Sequence, residues 1–78
     1  MNDYTRKKMG ALIGMLKYTN LSKEQVIALC GSIPTEKCSD EIATLLILNK
    51  NALKEIPQQK MMNMCAQIIK KHLKRYNV

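Results

Sequence analysis

With 78 residues and a formal charge of +7, the chain has room for one domain, residues 1–78, and a domain of this length buries only roughly 60% of the surface its unfolded form exposes. Trp and Phe are absent while Met occurs six times, so the core must be aliphatic and sulfur-rich, and a homodimer is one way to add the burial such a core lacks. No apolar run approaches the roughly 18 residues of a membrane span, and Cys30, Cys38 and Cys65 are odd in number and lack paired spacing, which points to reduced, buried thiols in a cytoplasmic protein.

The elements read as helices throughout. Asp3 or Thr5 can cap a first helix running through about Tyr18, with Met9, Leu12, Ile13 and Leu16 on one side and Ala11 and Met15 beside them. Gly10 and Gly14 fall on the opposite, Lys-bearing side, where they would allow close approach of another helix or a phosphate backbone. The basic residues ahead of "MGALIGML" are followed by no small-residue cleavage site, so no signal peptide is expected.

"NLSKEQV" carries the clearest local signal: Ser22 as N-cap, Gln25 completing a capping box and Leu21 placed to staple onto Val26. A second helix therefore starts at Lys23, and Gly31 is placed to end it as a left-handed residue after Cys30. Pro34 biases Ile33 away from helix. Thr35 or Ser39 caps a third helix ending near Leu48, with Glu36, Asp40 and Glu41 in its early turns. Its "IATLLIL" run is apolar nearly all round, which makes it the expected central, buried helix. "ALKEI" reads as a helical turn or a short fifth helix, and Pro57 suits the first position of a long last helix. The expected fold class is all-α: a small single domain of four or five short helices, orthogonal or bundle-like, with a long amphipathic C-terminal helix.

In the last helix, steps of about 100° per residue gather Met61, Met62, Cys65, Ala66, Ile68, Ile69, His72, Leu73 and Tyr76 into one apolar arc. Lys60, Asn63, Gln67, Lys70, Lys71, Lys74 and Arg75 occupy the rest, and Met64 is the one apolar residue among them. The arc is a core-facing stripe. The opposite face carries no acid, although Glu is the usual neighbour of Lys on a solvated helix.

Charge follows the same division. Met1 to Lys23 holds five basic residues against one acid, Glu24 to Glu55 holds three against five, and Ile56 to Val78 holds five against none, giving +4, −2 and +5. Two basic ends flanking an acidic middle draw a polyanion or an acidic protein face. The candidate contacts for nucleic acid or an acidic partner are therefore Arg6, Lys7, Lys8, Lys70, Lys71, Lys74 and Arg75, and Met64 is the candidate apolar partner contact.

Other chemistries fit poorly. One histidine, acids gathered at helix starts and no glycine-rich phosphate loop give no nucleophile–base pair and no carboxylate pair, so an enzyme is not expected. Cys30, Cys38, Cys65 and His72 lack the short ligand spacing of a zinc site, and no metal or other cofactor is expected. A helix-turn-helix would place Glu36, Asp40 and Glu41 against phosphate. The expected function is a small basic nucleic-acid-associated regulatory or accessory protein, with a non-enzymatic protein-interaction module docking on an acidic or helical partner as the alternative.

Overall fold

The computed structural model describes residues 2–76, with side chains through Lys74. Four α-helices follow one another: α1 (Asp3–Tyr18), α2 (Lys23–Gly31), α3 (Glu36–Asn49) and α4 (Gln58–Tyr76), with a 3-10 turn at Leu53–Glu55 before α4. There is no strand among the described residues, as the helical periodicity predicts.

Local chemistry sets the boundaries. Asn2, rather than Asp3 or Thr5, caps α1 by accepting from the Thr5 amide at 2.8 Å, and Asp3 pairs instead with Arg6. The Ser22 capping box forms as predicted, with the Gln25 amide donating to Ser22 Oγ at 3.1 Å and the Ser22 amide to Gln25 Oε1 at 2.9 Å. Of the two candidate caps of α3, Thr35 is used, accepting from the Cys38 amide at 3.1 Å. Gly31 departs from expectation. It is the last helical residue of α2 and no described glycine has positive φ; tight three-residue bonds, Ser32 N–H to Leu29 O and Ile33 N–H to Cys30 O, end the helix instead. "ALKEI" contributes only the 3-10 turn, which buries Leu53.

Each helix packs mainly on two others, α1 on α3 and α2, and α4 on α3 and α2, with α1 against α3 the most extensive pairing. Lys7 bonds to Glu36 and Asp40 near one end, and Gly14 faces Leu46 near the other, so α1 and α3 run side by side in the same direction. The contact is close because position 14 lacks a side chain: a Cβ there would lie 2.9 Å from Leu46 Cδ1. The close-approach reading thus holds for Gly14 and a helix, whereas Gly10 faces open space.

The core is aliphatic and sulfur-rich. It joins Ala11 and Met15 of α1, Val26 and Leu29 of α2, Ile42 and Leu46 of α3, and Met61 and Ile69 of α4, with all three cysteines among them. Within the predicted arc of α4, Met61, Cys65, Ile69 and His72 are buried and Met62 and Ile68 half-buried, whereas Ala66 and Leu73 are exposed. Two faces differ from expectation. In α1 the core takes Ala11 and Met15 and leaves Met9, Ile13 and Leu16 in solvent, because the small Gly14 and Ala11 let α3 come close on that side. In α3 the burial is one-sided, and Ile47 and Leu48 of the last turns are exposed.

Candidate interaction surfaces

The acidic N-terminal half of α3 is the meeting point for charges from both ends of the chain. Lys7 Nζ of α1 lies 2.8 Å from Glu36 Oε1 and 3.0 Å from Asp40 Oδ2, and these two hydrogen bonds hold the ammonium above its ordinary pKa. From α4, Lys71 Nζ lies 2.6 Å from Glu41 Oε2, and the buried His72 places Nε2 3.1 Å from Glu41 Oε1. The Lys71 hydrogen bond, then that of His72, hold the Glu41 carboxyl below the usual range. The +4, −2, +5 division seen along the chain is therefore in part an internal pairing, with the basic ends clamped onto the acidic helix between them.

This changes what each predicted contact has to offer. Arg6 is paired with Asp3 at 2.6 Å, both exposed. Lys7 and Lys71 are held by α3. Lys8 lies over the Tyr4 ring at 4.9 Å, an arrangement that leaves its charge largely available. Lys70 and Lys74 are exposed on α4 and join no ion pair among the described residues. The side chain of Arg75 lies outside the described residues, as does that of Tyr76. The structure keeps the two basic groups on separate helices, α1 and α4, whose main partner in common is α3. Met64 is half-buried at the α3–α4 seam, in a shallow groove of about 410 Å³ that it shares with Leu45 and Ile68.

The three thiols are core residues. Burial raises the Cys30 pKa and pushes Cys38 and Cys65 up to about 11, with the Glu41 carboxylate adding to the effect at Cys38 and the neighbouring cysteines at Cys65. All three stay protonated and unreactive near neutrality. No group of three or more His, Cys, Asp or Glu among the described residues is arranged to hold a metal ion. Among the same residues, no helix is long and apolar enough to cross a membrane.

The apolar side of α1 read from the sequence is the one that the fold leaves largely uncovered. Met9, Ile13 and Leu16 are 48%, 57% and 46% exposed, and their spacing of four and three residues makes one stripe along the helix. On the α3 side this stripe borders a groove of about 260 Å³. Gly10, Gly14, Ala43 and Leu46 form its floor, and Ile13 and Ile47, the latter 62% exposed, form its walls. Tyr18 closes one end, with Lys17 Nζ 5.5 Å and Lys50 Nζ 5.8 Å from its ring centre. The sequence signal was present but ambiguous: apolar residues surround most of α1, and only the position of α3 decides which of them are covered. No protein-family profile, curated protein or solved structure matches the chain.

Proposed function

We propose that the chain is a small, non-enzymatic protein-interaction module, a regulatory or accessory factor that docks through the outer face of α1. The observation that carries this reading is the uncovered stripe of Met9, Ile13 and Leu16 continued by Ile47. A contiguous apolar patch on a small domain lowers solubility and contributes nothing to its own core, and such patches on monomers commonly mark interaction sites. Three buried, protonated thiols fit a reducing compartment such as the cytoplasm. A second reading, contact with the phosphate backbone of nucleic acid, is favoured by one observation: Lys60, Lys70 and Lys74 stand exposed on a helix with no acid of its own. Such contacts position a protein on a polyanion without reading sequence.

One capture experiment separates the two. The tagged protein, its Ile13→Lys variant and its Lys70→Glu/Lys74→Glu variant are used as bait in lysate from cells that express the protein, with and without nuclease. Circular dichroism first confirms that each bait is folded. The interaction-module reading expects protein capture that resists nuclease, disappears with Ile13→Lys and survives the double charge reversal. Capture that nuclease removes, that falls steeply with salt and that only the charge reversal abolishes would replace it with the phosphate reading.

A further inference from the structure

We infer that the groove between α1 and α3 receives an acidic amphipathic helix from a protein partner, laid over Gly10, with an apolar side chain between Ile13 and Ile47 and carboxylates on Lys17 and Lys50. This deepens the interaction-module reading and rests on it.

Shape and charge carry the argument together. The floor at Gly10 is open: a Cβ placed there would meet nothing within 4 Å. Gly14 is small because Leu46 presses on it, but Gly10 has no such reason within the fold, and glycine in a helix interior costs about 1 kcal/mol relative to Ala. A bare backbone on an exposed helix suits the close approach of something from outside. The walls are aliphatic, so the occupant must bring apolar side chains. Lys17 and Lys50 flank Tyr18 at one end of the groove. Both complement the carbonyl ends of their helices, and both are exposed, so their ammonium groups can also meet a partner. No acid lines the groove among the described residues, and Asp40, one turn before Ala43 on α3, is already held by Lys7, so the charge at the Tyr18 end is positive. An amphipathic helix bearing acids at its rim satisfies walls, floor and charge at once.

Other occupants fit less well. A nucleic acid matches the lysines through its phosphates, but its apolar parts are flat bases, which suit the aliphatic gap between Ile13 and Ile47 less well than a branched side chain does. A second copy brings the apolar stripe but the wrong charge, since antiparallel pairing of two α1 helices about Leu12 and Ile13 sets Lys17 of one copy opposite Lys8 of the other, between molecules that each carry +7.

The test titrates the uniformly 15N-labelled protein with a synthetic amphipathic peptide of about four helical turns, Leu on one face and Glu on the other, and with a twin carrying Lys for Glu. The expected result is movement of the amide signals of Gly10, Ile13, Lys17, Ala43, Ile47 and Lys50 by the Glu peptide only. Lys17→Glu/Lys50→Glu should weaken that binding about tenfold and transfer the preference to the Lys peptide. Gly10→Leu, whose side chain enters open space and so leaves the fold intact, should block it. Equal response to both peptides, no response, or shifts confined to the α4 lysines overturn the inference. So does a concentration-dependent dimer in sedimentation equilibrium that Gly10→Leu dissociates, which would assign the groove to a second copy. If the peptides fail while capture of a partner still depends on Ile13, the groove assignment falls and the interaction-module reading stands; if that capture is absent too, both fall.

Discussion

At position 14 the packing of α1 on α3 leaves no room for a side chain, and the energetics can be worked from one distance. Gly14→Ala adds a Cβ 2.9 Å from Leu46 Cδ1, while the next nearest Leu46 atoms lie at 3.9 and 4.0 Å, ordinary contact distances. Alanine gains about 1 kcal/mol in helix propensity, and overpacking a filled core costs about 1–3 kcal/mol. Leu46 is fully buried, so the methyl has little room to swing away, and the expected net loss is about 1 kcal/mol. Leu46→Val shortens the side chain by one carbon and so withdraws the offending methyl, at about 0.8 kcal/mol of lost burial plus a small cavity contribution. In that background Gly14→Ala should become stabilising by about 1 kcal/mol, since only the propensity gain remains. The two substitutions are therefore coupled by about 1–3 kcal/mol. Urea denaturation of the four proteins of the cycle, followed by circular dichroism, measures it directly. Additivity within about 0.5 kcal/mol would refute the claim that the Gly14–Leu46 contact limits the approach of the two helices.

Further substitutions probe other parts of the fold. Gly10→Ala, in open space, should raise stability by about 1 kcal/mol in the same assay, and a loss would show that position 10 has an intramolecular role. Ser39 is fully buried, and its hydroxyl has no hydrogen-bond partner among the described residues; Ser39→Ala should stabilise by about 1 kcal/mol, and a melting temperature that falls would contradict an unpartnered hydroxyl. Glu41→Gln should cost a fraction of 1 kcal/mol at neutral pH, since the carboxylate is partly exposed and screened. Because the folded pKa of Glu41 lies below its ordinary 4.5, that stabilisation is full above the unfolded value and disappears as pH falls through the folded one. The wild-type and variant curves should therefore converge in acid, and a gap that does not narrow as pH falls below the ordinary 4.5 would rule out the ion pair as its source. Cys30, Cys38 and Cys65 should resist thiol reagents at neutral pH in the native protein and react together on unfolding in urea; fast reaction of the native protein would contradict their burial.

Much of the architecture was legible because local chemistry settles it. The Ser22 capping box, the Pro34 break and the segregated wheel of α4 each depend on residues close in sequence, and each appears where expected. The orientation of α1 depended on a neighbour distant in sequence. Its apolar residues cover two faces, and the choice went to the face whose small residues, Ala11 and Gly14, admit α3. The charge division was visible, but ion pairs linking residues some 30 positions apart, such as Lys7 with Glu36 and Lys71 with Glu41, could not be read from it. For the same reason the groove between α1 and α3 went unseen: Ala43, Leu46 and Ile47 of α3 complete a lining that α1 begins.

The pairing of α1 with α3 also orders events in time. Helices adjacent in the chain cannot complete this fold, because the most extensive interface joins the first helix to the third across the whole of α2. During synthesis α1 must wait until Leu46 has emerged before its buried face has a surface to close on, and its apolar residues are open to chaperones until then. α4 is synthesised after the other three, and it packs on α3 and α2 less extensively than α1 does on α3. In native-state hydrogen exchange the amides of α1 and α3 should accordingly open together at the highest free energy, with those of α4 released earlier as a separate unit.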